Sequence, residues 1–220
     1  MSSAVIQLLV LAGIAVFLIL RLRNVLGSRE GFEKSATPLP GPETSRTRKG
    51  FEVIEGGSDR DIIDHAPEGS EAAKALAAMK LIEPSFSVSD FLQGARGAYE
   101  MILTAFDKGE LDRIKPFLSQ DVFDSFSEVV AARKSRGVTV KTDFQGLREL
   151  TLADATFDRA ASEAEISVRF VAELVSSVRD MGGQVVEGDP KASRKQKDVW
   201  TFARTMGAND PNWQLVATGD

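Results

Sequence analysis

The 220-residue chain has no cysteine, one histidine and one tyrosine. Without cysteine there is no disulfide frame, no thiolate nucleophile and no thiolate metal site, which agrees with a reducing compartment. The lone histidine, His65, falls in a polar stretch ahead of the folded part, so imidazole acid–base chemistry and most transition-metal sites are excluded from the domain itself. Tyr99 sits on the apolar face of a helical pattern, the position of a packed ring with a satisfied hydroxyl rather than of a pocket acid. "DRDIID" at Asp59–Asp64 starts like a calcium loop but lacks the required glycine and the glutamate at the twelfth position. Gly182-Gly183 has neither the spacing nor the lysine of a phosphate loop. Asp143, Glu163, Glu165 and Glu173 fall on polar strand faces, where solvated carboxylates are the rule. Nothing in this inventory calls for a metal or cofactor, and the chain reads as a non-enzyme.

What is present starts with an apolar run from Ala4 to Leu20, broken only by Gln7. At helical rise it reaches roughly 25 Å, short for a bilayer core, but Leu22, Val25 and Leu26 extend the apolar stripe while Arg21 and Arg23 lift their charges to the headgroups. "Met1-Ser2-Ser3" lacks the basic start of an export signal, and Arg21-Leu22-Arg23 stands where small residues would permit cleavage. The run therefore reads as an uncleaved, single-pass anchor over residues 1–26. Arg21, Arg23 and Arg29 lie at the membrane interface, and their position after the run places the N-terminus outside and the rest in the cytoplasm. A buried helix of a soluble core is the competing reading, but no polar face accompanies it.

Charge is uneven. Residues 21–50 hold seven Lys/Arg against three Asp/Glu, while the whole chain carries −5. A basic segment beside the bilayer suits anionic lipid, and an acidic remainder is not a nucleic-acid surface. Residues 27–69 read as a flexible linker: "SATPLPGPETSRTRKG" has little to bury. Within it, "GFEVIEGG" holds Phe51, Val53 and Ile54, a cluster suited either to docking as a strand or to acting as a short linear motif.

The folded part is expected over residues 70–220. "SEAAKALAAMKLI" is helical, and Val88, Phe91, Leu92, Ala95, Tyr99, Ile102, Leu103 and Phe106 share one face of the next helix, capped by Ser87 and stopped by Gly109. A short helix at 110–118 is interrupted by Pro116, and Ser119 opens another in which Val122, Phe123, Phe126, Val129 and Val130 face inward. From Val138 the period becomes two, and "VWTFART" with "NWQLVAT" makes a hairpin. Helices followed by antiparallel strands define an α+β domain. "KASRKQK" at 191–197 follows a hairpin-tip pattern and is either solvated charge or a contact to anionic lipid or ribosomal RNA.

"FLQGARGAYEMILTAFDKGELDRIKPFLSQDVFDSF" and "ISVRFVAEL" resemble the Tim44-like domain family, which includes a mitochondrial inner-membrane translocase subunit and membrane-anchored bacterial adaptors of the TimA type. Bacterial members also share an anchor ending like Arg21-Leu22-Arg23, Leu26-Gly27 and Gly31-Phe32-Glu33. The resemblance implies a cone-shaped domain similar to nuclear transport factor folds, with an apolar cavity under its helices. It further implies an adaptor or holding factor for protein clients or assembly partners at the inner membrane, in protein transport, chaperone recruitment or respiratory-complex assembly. Phe91, Tyr99, Ile102, Phe106 and Phe126 are the expected lining of the cavity, and the alternative reading is a lipid-binding module in which that cavity takes an acyl chain.

Overall fold

A computed structural model describes residues 59–219. The helices come first: α1 (Arg60–Ile63), α2 (Glu71–Ile82), α3 (Val88–Lys108), two 3-10 turns (Leu111–Arg113 and Lys115–Phe117) and α4 (Gln120–Ser135). The strands follow: β1 (Thr139–Asp158), β2 (Glu163–Arg179), β3 (Val185–Gly188), β4 (Arg194–Thr205) and β5 (Gln214–Gly219). The expected α+β architecture is present.

Serine starts each long helix. The hydroxyls of Ser70, Ser87 and Ser119 accept from the backbone N–H of Ala73, Asp90 and Val122 at 3.1, 3.2 and 3.3 Å. Each such cap is worth about 1 kcal/mol. Gly109 ends α3 in the left-handed region with φ 72°, and a β-carbon there would also lie 3.2 Å from Val130. Pro116, which lacks an N–H, breaks the expected short helix at 110–118 into two 3-10 turns.

All strand pairs are antiparallel in the order β1-β2-β4-β5, with β3 pairing β2 beyond the end of β4. Ala164, Ile166, Val168, Phe170, Ala172 and Leu174 alternate onto the buried face of β2. The apolar stripe of α3 lies on that face: Tyr99 stacks on Phe170 with ring centroids 4.4 Å apart and sits 4.6 Å from Trp200. Burying each large side chain contributes about 1.5–3 kcal/mol, so this layer is the main source of cohesion. Strand β1 runs well past the alternation that ends at Phe144. Three register shifts, between Phe144 and Gly146, Leu147 and Glu149, and Leu152 and Asp154, break its period, so the sequence does not advertise its second half.

Two expectations need correction. The packed domain does not begin at Ser70, since Ile62 and Ala66 are buried in the core. Asp61 also reaches forward to accept from the backbone N–H of Val88 (2.7 Å) and Ser89 (2.9 Å), so α1 ties down the start of α3. On α4, Val122 and Val130 are buried and Phe123 and Phe126 half-buried, but Val129 is 43% exposed. Of the basic cluster, Arg194–Lys197 belong to β4 and pair with Val171–Leu174, so only the residues before them form a loop. The anchor over 1–26 with Arg21, Arg23 and Arg29, the linker as far as residue 58, and the Phe51–Ile54 cluster lie outside the described residues. Among the described residues no helix is long and apolar enough to cross a membrane.

Candidate binding grooves

An apolar groove of about 520 Å³ runs along the outer side of α3. Its walls are Phe86, Phe91 and Trp213, with Phe91 and Trp213 edge-to-face at 4.7 Å and Phe86 6.0 Å from Trp213. Ala98, Met101 and Ile102 from α3 and Phe117 and Phe202 complete the apolar lining. A second recess of about 410 Å³ shares Gly97 and Met101 with the first and continues past Thr104 to Lys108 and Ile114. The two together follow α3 for most of its length, roughly 27 Å at helical rise.

The floor of this furrow has an unusual composition. Gly94 and Gly97 sit in the middle of α3, where each costs about 1 kcal/mol relative to alanine. A β-carbon built on either meets nothing within 4 Å. Neither glycine is therefore required by packing within the described domain; both expose helix backbone to the groove. Met101, 38% exposed beside them, adds an unbranched and polarizable side chain suited to varied contacts.

One rim is held by an ion pair. Arg204 Nη2 donates to Glu83 Oε2 at 2.5 Å, its Nη1 donates to the Pro211 carbonyl at 3.2 Å, and its guanidinium lies 5.2 Å from the Trp213 ring centroid. The Arg204 hydrogen bond holds the Glu83 carboxyl below its usual range, against the opposing effect of burial. This charge is consumed in fastening the loop before β5, which sets the position of Trp213.

A separate recess of about 370 Å³ opens between the C-terminal half of α3, the end of α4 and strands β1 to β4. Phe106, Val140 and Leu174 supply apolar surface, while Arg133, Arg136, Arg194, Asp107 and Glu187 supply charge. Arg133 lies over the Phe106 ring at 4.4 Å, and its Nη1 is 3.7 Å from Asp107 Oδ1, too long for a hydrogen bond. Burial pushes the Asp107 carboxyl up, and the Thr142 hydroxyl, Arg133 and Arg194 pull it only part of the way back. Burial also pushes Arg133 down, with Asp107 opposing.

The five residues expected to line one cavity are divided. Phe91 and Ile102 face the α3 groove, and Phe106 faces the charged recess. Phe126 packs on Phe106 at 4.4 Å but lines neither. Tyr99 is fully buried and its hydroxyl donates to Asp198 Oδ2 at 2.5 Å, so burial first, and then Asp198, raise its pKa and keep it neutral. Helical spacing grouped these residues, but the sheet and α4 separate them. Gly94 and Gly97 carried a readable signal as paired glycines inside a helix pattern. Nothing in the sequence brings Asp107, Arg133 and Arg194 together.

Elsewhere, His65 bonds Ser89 Oγ at 3.2 Å, and Asp59 and Asp61 both pair with Lys80, at 2.8 and 2.7 Å. "DRDIID" is thus a helix-fastening element. No group of three or more potential metal ligands occurs among the described residues.

The family model for the Tim44-like domain matches residues 72–220. The mitochondrial import inner membrane translocase subunit TIM44 of Homo sapiens is 25% identical over 159 residues, covering 71% of this chain and 35% of that protein. Subunit TIM44-1 of Arabidopsis thaliana is 21% identical over 129 residues, covering 59% of this chain and 27% of its own length. The chain thus spans about a third of the curated relatives it matches. Among solved structures, the intermembrane space region of chloroplast protein ARC6 aligns with a TM-score of 0.36 and 11% identity, over 56% of this chain and 94% of that one.

Proposed function

From the premise that this chain belongs to the Tim44-like domain family, we propose that it is a protein-binding adaptor or holding factor at the inner membrane, serving protein transport or respiratory-complex assembly. The α3 furrow is its client surface. The observation that carries this reading is the pair of glycines, Gly94 and Gly97, which open helix backbone to an apolar groove and pack against nothing of their own domain. A client segment lying there would gain close approach to the helix, the apolar walls of Phe86, Phe91 and Trp213, and the adaptable contact of Met101.

In this reading the anchor over 1–26 holds the domain on the cytoplasmic side, with Arg21, Arg23 and Arg29 at the headgroups. A cytoplasm-dependent reporter fused after Asp220 is expected to be active, and activity of a periplasm-dependent reporter instead would reverse the orientation. The client surface is tested by placing a photo-cross-linking residue at Gly97 or Met101 of the full-length chain in its native membrane. Discrete protein adducts that are absent when the cross-linker stands at Arg169, an exposed site on β2, support the adaptor. Adducts to lipid alone favour the acyl-binding alternative and sink the client assignment.

A further inference from the structure

Helix α3 carries two seams of the same period. Val88, Leu92, Ala95, Tyr99, Ile102 and Phe106 form the one that faces the core, at the alternating intervals of four and three residues by which helices pair. Asp90, Gly94, Gly97, Met101, Thr104 and Lys108 repeat those intervals on the outward side, where all but the half-buried Thr104 are exposed. This second seam lines the furrow already described. We propose that it pairs with the same seam of a second copy of the chain, the two α3 helices running antiparallel about a two-fold axis at Tyr99.

The order of residues along the seam carries this assignment. Asp90 and Lys108 lie nine residues either side of Tyr99, Gly94 and Thr104 five, and Gly97 and Met101 two. Turning one helix end for end therefore sets Asp90 against the partner's Lys108, and opposite charges meet at both ends. In the middle, Met101 meets the partner's Gly97 at two symmetric places, an unbranched side chain against bare backbone. A parallel pair would oppose Asp90 to Asp90, Lys108 to Lys108 and Met101 to Met101, so the seam complements itself in one direction only. On its flank, Arg96 comes within about 3 Å, along the axis, of the level of the partner's Glu100. Asp90, Arg96, Glu100 and Lys108 make no side-chain hydrogen bond or ion pair among the described residues, so none of these charges is consumed within its own domain.

The two glycines now have a packing reason. Small residues let two helix backbones approach closely, which offsets what Gly94 and Gly97 cost the isolated helix. Phe117 and Trp213, half-buried along the same groove, add apolar surface beside the contact. On the client reading, dimer and client exclude one another and pairing covers the groove when no client is present. The pairing itself does not depend on that reading.

The chain has no native cysteine, so introduced ones report the geometry alone. Full-length chains carrying Asp90→Cys or Lys108→Cys, each with its own affinity tag, are co-expressed in the native membrane and oxidised. The disulfide joining position 90 of one chain to position 108 of the other should exceed the 90–90 and 108–108 products at least about tenfold, since those like positions stand about 27 Å apart in the antiparallel pair. A second measurement uses chains that keep both charges, fused to donor or acceptor fluorophores. Arg96→Glu should weaken association about tenfold, because the substitution occurs twice in each dimer, and adding Glu100→Arg to the same chains should restore it. Both positions are exposed, and melting temperatures taken alongside separate lost pairing from lost fold. Comparable yields of all three disulfides, a mixed disulfide missing from folded chains, or an Arg96→Glu loss that Glu100→Arg does not rescue overturns the proposal. Client adducts from Gly97 without a mixed disulfide refute the dimer and leave the client groove standing, and the mixed disulfide without client adducts does the reverse.

Discussion

Replacing Gly94 and Gly97 with alanine should make the domain more stable while impairing what it binds. Both positions are helical, both are exposed, and a β-carbon at either finds no atom within 4 Å, so neither substitution clashes with the domain. The backbone entropy saved is worth about 1 kcal/mol per site, and the two effects should add because the new methyls share no partner. For a domain of this size each should raise the melting temperature by about 2–4 °C. The double variant should therefore melt roughly 4–8 °C higher. Two methyl groups nevertheless cover the backbone that the groove leaves bare, so cross-linking from Met101 to protein clients should fall even though the fold has improved. Thermal melts and cross-linking yields, measured on the same preparations, are the assay. A destabilised double variant would show that the groove floor is more tightly packed than the open space implies. A stabilised variant with undiminished cross-linking would remove the glycines from the client surface and refute the reasoning.

The other predictions concern how the domain is held together. Asp61→Ala should cost about 2–4 kcal/mol in denaturant unfolding, because it strips two N–H acceptors and the Lys80 ion pair from the start of α3. Although burial opposes it, bonding to Lys80, Ser89 and Val88 depresses the folded pKa of Asp61, so its stabilising effect is present above about pH 4. The gap between wild type and Asp61→Asn should narrow as pH falls below that point, and a gap that widens there would contradict the assignment. Tyr99→Phe keeps the stack on Phe170 but loses the bond to Asp198, and about 1.5–3 kcal/mol should be lost at equilibrium without a change in client cross-linking. Loss of cross-linking at unchanged stability would give the hydroxyl a direct role. A fragment beginning at residue 59 should unfold at higher denaturant than one beginning at residue 70, since the shorter one forfeits buried Ile62 and Ala66 together with the Asp61 cap. Equal midpoints would return 59–69 to the linker.

The sequence by itself determined whatever depends on neighbours along the chain. Ser70, Ser87 and Ser119 mark helix starts because a hydroxyl caps an N–H three residues on, and Gly109 marks a stop because it tolerates positive φ. Alternation from Ala164 to Leu174 announced a strand with one buried face, and helices preceding strands announced the α+β class. The quoted motifs were also sufficient for the family. Tertiary structure decided everything that depends on residues brought together from afar. Asp61 looked like linker because its partners at Val88 and Ser89 lie beyond an entire helix. The second half of β1 was hidden because bulges cancel the period of two that identifies a strand. Phe91 and Phe106 share a helical stripe, yet a stripe of this length crosses more than the one cavity expected for it. Arg133 on α4 meets Arg194 on β4 and Asp107 on α3 only where the helix layer meets the sheet, and no local periodicity encodes that meeting.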